Sequence, residues 1–393
     1  MNIAIYFEYQ INPERGGTER VTDILAHYFV SNGHNVFYLS KVPVDGVYDI
    51  QTFFLPSTSG FATPKNIEFI NNFICENKID LLINQAGNLD DVYLFSHQAL
   101  ESDIKIITCI HFPIHGGTNY YYNALSLPKV ELNKPLLSFK NILRWAMAPY
   151  FKANKIKRIR RRNCFIQRDS DSVVLLASSY IQEMKLFSNL QSSNNLTYIN
   201  NPNTYENTYL KSNKQKEIIF VGRLHEHKRP EYLLNVWGKL HLQFPDWTLT
   251  FVGDGPLKNK LESIVRKKKL AHVNFEGFTN SYKYYERASI LCLTSLFEGF
   301  PMVILEAKQN GVIPVIYNTF SASTDLIENG KTGFVIEPFN VVDYADCLSH
   351  LMLDESLRNR ISKNSYEDSK RFNIKLIGLQ WDNLLSHLMK NKK

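Results

Sequence analysis

Short apolar runs alternate with longer stretches of helical spacing along almost the whole chain, and this alternation limits the possible folds more than any other feature. Runs of this kind are typical of strands that are buried on both faces. They occupy residues 2–6, 35–39, 81–84, 105–110 and 173–177 in the first half, and residues 218–221, 248–252, 273–276, 290–293 and 313–317 in the second. The alternation predicts α/β domains with mainly parallel sheets.

The chain is long enough for two such domains, because 393 residues suffice to bury two separate cores. Polar stretches at residues 188–195 and 200–215 interrupt the alternation and indicate the boundary. We therefore predict two doubly wound parallel-sheet domains, at residues 1–205 and 206–371. Residues 372–393 place apolar side chains at roughly helical spacing, which predicts a terminal helix.

Targeting signals and cysteine usage both indicate a cytoplasmic protein. The chain begins M-N-I-A-I-Y-F, which is typical of a strand rather than of a signal peptide, and no apolar run approaches the length that spans a bilayer. The five cysteines lack C-x-x-C spacing, so we expect them to be reduced residues of the core. They are Cys75, Cys109, Cys164, Cys292 and Cys347.

The segment L-T-S-L-F-E-G-F-P-M-V-I-L-E-A-K-Q-N-G, residues 293–311, gives the strongest indication of a ligand site. A strand ends there, Gly299 permits a sharp turn, and Pro301 stands where a first helical residue tolerates a missing N–H. A helix that begins at this point directs its N–H groups into the crevice at the end of the strand, where a diphosphate is favoured. The residues that offer these groups are Gly299, Phe300, Met302 and Val303.

Two carboxylates belong to the same segment. Glu298 is expected at the entrance to the crevice into which these N–H groups point. Glu306 follows Pro301 by five residues, about 7 Å along a helix axis, where it can accept hydrogen bonds from a ribose. A plainer interpretation is an acid favoured by the helix macrodipole together with a solvated helical glutamate. The pair alone leaves both interpretations open.

The spacing of Glu298 and Glu306 resembles the E-x7-E motif of the large retaining glycosyltransferase family 4, whose members have the GT-B fold. Four further segments are similar to that family in order and type. They are G-G-T-E-R at 16–20, I-I-F-V-G-R-L-H-E-H-K at 218–228, F-V-G-D-G-P at 251–256 and V-N-F-E-G-F at 273–278. The resemblance covers nearly the whole chain and is weakest at 46–102 and 118–164, the part expected to recognise the acceptor.

The resemblance implies two Rossmann-like domains that face each other across a cleft, with the donor held by the second domain and the terminal helix crossing back to the first. It also implies an enzyme that transfers a hexose-type sugar, with retention, from a nucleoside diphosphate sugar. We expect UDP or GDP as the nucleotide and a lipid-linked saccharide or polysaccharide as the acceptor, as in O-antigen, lipopolysaccharide or capsule assembly. No cofactor and no metal ion is expected.

Several candidate residues lie at the carboxyl ends of predicted strands, which form the edge where doubly wound sheets bind ligands. They are Asn84, His111, Ser178, Arg223 and Gly253. Arg223 and Lys228 would neutralise the leaving diphosphate in place of a metal ion, because a guanidinium binds phosphate oxygens in pairs and an ammonium acts as a point charge. On charge alone, two solvated cations in a charged loop would also explain them.

Two histidines are candidates for the residue that faces the donor sugar. The resemblance implies that His111 faces the donor sugar, although a lone histidine after a strand is commonly structural, and His115 in I-H-G-G is an alternative. Gly16 and Gly17 permit close approach of backbone to a ligand, and a plain turn before a helix explains them equally well.

The site residues predicted from the sequence fall into two groups. Catalytic roles are assigned to His111, Arg223, Lys228 and Glu298. Donor contacts are assigned to Gly16, Gly17, Arg223, Lys228, Gly253, Phe278, Glu298, Gly299, Phe300, Met302, Val303 and Glu306. The sequence offers no evident nucleophile opposite the leaving group, so we expect a front-face, oxocarbenium-like route rather than a double displacement.

The acidic triplet Asp169-Ser170-Asp171 has the D-x-D spacing by which metal-dependent GT-A enzymes hold a cation. It precedes a predicted strand and follows a basic segment, so we interpret it as a turn that caps the strand. No cluster of His, Cys or carboxylate has metal-ligand spacing.

Residues 140–168 contain ten basic residues and no Asp or Glu, and they account for much of the net charge of +7. Aromatic residues are interleaved with the charges, so the segment is suited to the surface of an anionic membrane. A solvated charged face is the alternative. We do not expect nucleic-acid binding, because no recognition motif accompanies the charge.

Two other classes of protein are weighed against the transferase. A non-catalytic nucleotide-sugar-binding scaffold of a polysaccharide assembly complex is disfavoured by the intact acidic and basic site residues. A dinucleotide-dependent oxidoreductase is disfavoured because no G-x-G-x-x-G follows a strand; Gly253-Asp254-Gly255 lacks the third glycine.

Overall fold

The structure of the protein is a computed structural model that describes residues 1–44, 49–58, 62–118, 135–205 and 214–390. The side chains of residues 135, 137, 138, 140, 141 and 144 are not among those described. The chain forms two compact units. Unit 1 comprises Met1–Asn200 and Gly378–Lys393, and unit 2 comprises Asn201–Ile377.

Unit 1 contains a seven-stranded sheet in the order β3-β2-β1-β4-β5-β6-β7, and all its strand pairs are parallel. The strands are β1 (Asn2–Tyr9), β2 (Asn35–Val42), β3 (Thr52–Phe54), β4 (Leu81–Asn84), β5 (Lys105–Ile110), β6 (Ser172–Leu175) and β7 (Leu196–Tyr198). Its helices are α1 (Gly17–Ser31), α2 (Pro64–Glu76), α3 (Pro135–Ala146), α4 (Ala148–Asp169) and α5 (Ser179–Ser188), with a 3-10 helix at Asp90–Leu94. The central strands are buried on both faces, as their continuous apolar sequences predict.

Unit 2 contains a six-stranded parallel sheet in the order β10-β9-β8-β11-β12-β13. The strands are β8 (Glu217–Val221), β9 (Thr248–Val252), β10 (Val273–Gly277), β11 (Ile290–Leu293), β12 (Ile313–Tyr317) and β13 (Phe334–Ile336). The helices are α6 (Pro230–Leu240), α7 (Lys258–Lys268), α8 (Tyr282–Arg287), α9 (Met302–Gln309), α10 (Ser323–Leu326), α11 (Val341–Leu353) and α12 (Glu355–Ser369), with 3-10 helices at Glu226–Lys228 and Lys370–Phe372. The sheet and helices α6, α11 and α12 enclose one core around Trp237 and Trp247.

The prediction of two α/β domains with parallel sheets is confirmed. Three strands had no predicted counterpart, namely β3, β7 and β13. Each is three residues long and lies at the edge of its sheet, where one side of the strand is not covered by a neighbour. A strand of three residues is too short to show the run of four to eight apolar residues that indicates a buried strand.

The division between the units falls after Asn200 rather than at Tyr205. The amide N–H of Asn203 donates to the carbonyl oxygen of Phe372 at 2.8 Å, and the amide N–H of Tyr205 donates to Oε1 of Gln309 at 3.2 Å. These bonds attach residues 201–205 to unit 2. Residues 206–213, which belong to the predicted separator, lie outside the described residues.

The terminal helix α13 (Ile374–Lys390) begins in unit 2 and counts with unit 1 from Gly378 onward. Within unit 1, the ring of Trp381 meets Phe29 of α1 edge to face, with 6.0 Å between the centroids. The hydroxyl of Tyr28 donates to Oδ2 of Asp382 at 2.7 Å. These contacts fix the second half of α13 on α1.

Helices long and apolar enough to cross a bilayer are absent from the described part of the chain. The described residues include all five cysteines, and each is a free thiol. Cys109 and Cys292 are buried in strands, as expected, and burial raises the pKa of both thiols. The expectation that all five are core residues is wrong for Cys75 and Cys164, because both lie on the exposed faces of helices.

Candidate functional site

The loop after β8 carries the two predicted cations of unit 2. Arg223 follows the strand by two residues and is exposed. Lys228 ends the short 3-10 helix that precedes α6, and its amide N–H donates to the carbonyl oxygen of His225 at 3.0 Å. Arg229, the next residue, has a φ of 47° and turns the chain into α6. The loop therefore holds Lys228 at a fixed point beyond the end of the strand.

Lys228 and Glu298 form an ion pair, with 2.6 Å between Nζ and Oε1. Their side chains are only 18% and 11% exposed, so water screens the pair weakly. They come from the loops that follow β8 and β11, which are neighbours in the sheet. The ion pair thus joins two residues that the sequence predicted separately.

Backbone contacts hold these two loops together. The amide N–H of Leu296 donates to the carbonyl oxygen of His227 at 2.7 Å. The hydroxyl of buried Thr294 lies 3.1 Å and 2.9 Å from the carbonyl oxygens of Lys228 and Arg229. Thr294 was not predicted, and its place directly after β11 was the available signal. Because both loops are attached at several points, Lys228 and Glu298 are held in place before any ligand binds.

The side chain of His227 packs within the same loop. Its ring stacks on Phe297, with 5.7 Å between the centroids, and its Nδ1 lies 2.9 Å from Nδ1 of His225. Burial lowers the pKa of His227 to about 4, and the neighbouring charge of Lys228 acts in the same direction. His227 is therefore neutral at pH 7, and its ring packs within the loop that carries Lys228.

Helix α9 begins at Met302, one residue later than predicted. Pro301 is the N-cap, with a ψ of 110°, so its backbone is extended rather than helical. A proline side chain offers no acceptor to the first-turn N–H groups. The predicted donors Gly299, Phe300, Met302 and Val303 lie at this turn, where the helix dipole favours an anion.

The side chain of Glu306 is almost fully buried, with an exposed fraction of 2%, so little of it is open to a ribose. Its Oε2 accepts a hydrogen bond from the hydroxyl of Tyr285 at 2.9 Å, and its Oε1 accepts one from Thr204 at 3.3 Å. The plainer interpretation of Glu306 as a solvated helical glutamate is wrong, because this face of α9 packs against α8 and residues 204–205. Neither hydroxyl partner could be predicted from the spacing of the motif.

Gly253 is a glycine for a packing reason. It directly follows β9 with a φ of 142°, and a Cβ there would lie 2.1 Å from the carbonyl oxygen of Gly222. The conformation and the contact each exclude other residues.

Phe278, after β10, is 81% exposed, so its ring is available to a ligand.

The predicted residues of unit 1 lie at the end of its own sheet and at α1. His111 follows β5, and its Nε2 donates to Oε1 of buried Gln85 at 2.6 Å. Burial lowers the pKa of His111 to about 4, so the ring is neutral and its Nδ1 is an acceptor. Gln85 was not predicted as its partner, although it also follows a strand.

His115, the alternative to His111, has another environment. Its Nε2 lies 3.7 Å from Oε1 of Glu183 on α5, and burial lowers its pKa.

Gly16 is the N-cap of α1 and Gly17 its first residue. A Cβ on Gly16 would meet only the flexible carboxylate of Glu19, so space does not demand this glycine.

The D-x-D triplet acts as the predicted strand cap. Oδ2 of Asp171 accepts the amide N–H of Ile106 at 2.8 Å, and Oδ1 accepts Lys105 Nζ at 3.0 Å. Asp171 therefore joins the starts of β5 and β6. Within the described ranges, no group of three His, Cys, Asp or Glu side chains is arranged to hold a metal ion.

The basic segment forms α3 and α4. Large apolar side chains are exposed along α3 and the first turn of α4. They are Leu136, Phe139, Ile142, Leu143, Trp145, Met147, Tyr150 and Phe151. The side chains of Lys140 and Arg144 lie outside the described ones. The described side chains of α3 and of the first turn of α4 thus form an exposed apolar surface on unit 1.

Comparison with known proteins agrees with this organisation. Residues 203–368 match the family described as "Glycosyl transferases group 1". An "Uncharacterized glycosyltransferase" of Haemophilus influenzae is 28% identical over 373 residues, which cover 94% of this chain and 96% of that protein.

A second relative, from Campylobacter jejuni, is the "GalNAc-alpha-(1->4)-GalNAc-alpha-(1->3)-diNAcBac-PP-undecaprenol alpha-1,4-N-acetyl-D-galactosaminyltransferase". It is 28% identical over 177 residues, 44% of this chain and 49% of its own length, so the chain spans about half of that relative. Among solved structures, Anabaena HepE in complex with UDP superimposes with a TM-score of 0.74 and 16% identity, over 98% of this chain and 100% of that one. The protein has the GT-B fold of two parallel-sheet α/β domains, and the comparisons support a place among the glycosyltransferases.

Proposed function

We propose that the protein is a retaining, metal-independent glycosyltransferase that moves a hexose-type sugar from a nucleoside diphosphate sugar to a lipid-linked saccharide or polysaccharide. The observation that carries the proposal is the Lys228–Glu298 ion pair at the ligand edge of unit 2, 2.6 Å long and held by the loops after β8 and β11. The complex of Anabaena HepE with UDP supports a uridine nucleotide as the donor.

The cations act on the leaving diphosphate. Lys228 has three N–H donors, so it can keep its bond to Glu298 and still donate to a phosphate oxygen. Arg223, five residues earlier in the same loop, is exposed and can bind two phosphate oxygens at once. With the first-turn N–H groups of α9, these donors stabilise the charge that develops as the glycosidic bond breaks.

The carboxylates orient the donor. Glu298, fixed by Lys228, accepts hydrogen bonds from the sugar hydroxyls. Glu306 accepts from the ribose, which requires that the hydroxyl of Thr204 or of Tyr285 give up its place. The acceptor attacks from the face that the diphosphate leaves. Mass spectrometry of the enzyme quenched during turnover checks this route, since a glycosyl-enzyme adduct would point to double displacement.

The acceptor is bound by unit 1 at the cytoplasmic face of a membrane, to which α3 and α4 attach the protein. The exposed apolar side chains of these helices and their cations suit an anionic lipid surface. The name of the Campylobacter relative includes PP-undecaprenol, which supports a lipid-linked acceptor. Sedimentation with anionic and neutral vesicles tests the attachment, and equal binding to both would contradict it.

Calorimetry without metal ions, against UDP, GDP and ADP, tests the donor site. We expect one nucleotide to bind, and we expect Arg223→Gln and Lys228→Ala each to abolish that binding. Arg266→Gln, which removes an exposed guanidinium of α7, is the matched control and should bind normally. If a folded protein binds none of the nucleotides, the non-catalytic scaffold becomes the better interpretation.

A further inference from the structure

A surface pocket of about 510 Å³ lies in unit 1 between α4 and the 3-10 helix Asp90–Leu94. It is lined by Asp90, Tyr93, Asn154, Lys157, Arg158 and Arg161. The four lining residues of α4 are spaced by three, one and three positions, so they share one face of the helix. A cavity of this size suits a small ligand.

The charge of the pocket is strongly unequal. Three cations line it, whereas Asp90 is the single carboxylate among the lining residues. Asp90 forms an ion pair with Arg158, which leaves Lys157 and Arg161 as exposed cations beside it. An anion is therefore the ligand that the pocket favours.

Two further cations of α4, Lys155 and Arg162, lie close to the cations that line the pocket. Burial lowers the pKa of Lys155, and the charges of Arg158 and Arg162 lower it further. The pKa of Tyr93 is raised, first by burial and then by Asp90, against the opposing effect of Arg162, Arg161 and Arg158. All three guanidinium groups thus lie close enough to act on one phenol.

The pocket is built on fixed parts of unit 1. Ile159, Asn163 and Ile166 are the buried residues of α4, and Asn163 donates to the hydroxyl of Ser188 on α5 at 2.9 Å. The ring of Tyr93 packs on Phe165, with 4.6 Å between the centroids. The helix cannot rotate without breaking these contacts, so its cations are presented in one arrangement.

We propose that this pocket binds a phosphate or diphosphate group, with Lys157, Arg158 and Arg161 as its cationic donors and Asn154 and Tyr93 as neutral ones. Tyr150, 61% exposed, lies one turn before Asn154 on the same face and offers an apolar surface next to the anion. An apolar ring that lies next to several cations suits a phosphate that is attached to an apolar chain. The identification of the ligand with the phosphorylated part of a lipid-linked acceptor rests on the proposed function. The proposal that the pocket binds an anion does not depend on that function.

The test is calorimetric titration with inorganic pyrophosphate. It is done in the Lys228→Ala protein, which removes the contribution of the donor site in unit 2. Adding Lys157→Gln and Arg161→Gln should weaken the binding by roughly tenfold or more, because two charge-assisted hydrogen bonds are lost. Neither side chain is buried, so the variant should fold, and its thermal midpoint checks this.

Arg168→Gln with Lys185→Gln is the matched control. It removes the same charge from α4 and α5 at exposed positions that do not line the pocket. Pyrophosphate affinity preserved in this control and lost in the pocket variant supports the proposal. Equal losses in both variants, no loss in the pocket variant, or no binding in the Lys228→Ala protein would overturn it.

Vesicles of phosphatidylglycerol or phosphatidylcholine distinguish the source of the phosphate once pyrophosphate binding is established. Loss of phosphatidylglycerol binding in the pocket variant, with displacement by free pyrophosphate, assigns the pocket to a lipid headgroup. Vesicle binding that persists assigns it to a phosphate carried by the acceptor. Nucleotide binding to the wild-type protein is measured separately, so a failure of the donor site cannot be mistaken for a failure of this pocket.

Discussion

The cations of unit 2 and the cations of α4 in unit 1 are presented in opposite ways. Lys228 is 18% exposed and paired with a carboxylate that is 11% exposed, on loops joined by backbone bonds. Arg158 is 68% exposed, and Lys157 and Arg161 also face the solvent. One region holds its charge in a low-dielectric setting, and the other spreads several charges over a helix in water.

The difference fits the two tasks proposed for these regions. Stabilising a leaving diphosphate needs donors that are placed before the reaction, because reorganising them would raise the barrier. Attracting a phosphate at a surface needs only local positive charge, which salt weakens. We therefore expect unit 2 to respond strongly to single substitutions and α4 to respond weakly to each one.

The largest expected effect is that of Lys228→Ala. It removes a cation from the proposed leaving-group site and leaves Glu298 with little water to replace its partner. Turnover of the donor should fall about 10²–10³-fold, and the free energy of unfolding should drop by about 1–3 kcal/mol. Steady-state kinetics and urea denaturation measure the two effects. Arg161→Gln, made in parallel, should leave the stability within about 0.5 kcal/mol; an equal loss would remove the contrast between the regions.

Gly253→Ala is expected to follow in size. The new Cβ would meet the carbonyl oxygen of Gly222 at 2.1 Å in a conformation that alanine rarely adopts, so a loss of about 3 kcal/mol is expected. Gly222→Ala is the control, because Gly222 has nearly the same φ, 144°, with open space around it. Urea denaturation of both proteins separates the steric clash from the backbone strain, and equal losses would show that strain alone fixes the glycine.

A smaller effect is expected for Tyr285→Phe. The change removes one hydrogen bond to the buried carboxylate of Glu306, at a cost of about 1.5–3 kcal/mol in the free energy of unfolding. Nucleotide affinity should fall with it if Tyr285 positions Glu306 for the ribose. Tyr284→Phe, which loses a hydrogen bond to Glu276 instead, is the comparison. Unchanged nucleotide binding in Tyr285→Phe would assign Glu306 to the stability of α9.

The pH dependence of stability should show the smallest effect. The pKa of His227 is about 4 in the folded protein and about 6.5 in the unfolded chain, which therefore binds more protons between these values. The contribution of His227 is complete above pH 6.5 and decreases as the pH falls toward 4. His227→Asn should reduce the loss of stability between pH 7 and pH 5 in urea denaturation. His272→Asn, at an exposed position of unit 2, should leave that loss unchanged.

The sequence predicts best what depends on neighbouring residues. The longer strands were predicted from their apolar sequences, whereas the edge strands β3, β7 and β13 are only three residues long and were missed. The same holds at the site. The segment after β11 predicted the positions of Glu298 and α9 almost to the residue. The partners of Glu306 could not be predicted, because Thr204 is 102 residues away in the sequence and meets it only through packing.

The second half of α13 has a consequence for how the protein is made. Unit 1 consists of residues 1–200 together with residues from 378 onward, and Trp381 covers Phe29. During synthesis the ribosome releases all of unit 2 before it releases the segment that packs on α1. The part of the chain that is made first is therefore the last to be completed, against the usual N-terminal-first order of domain folding. Until that segment arrives, Phe29 of the nascent chain remains uncovered on this side.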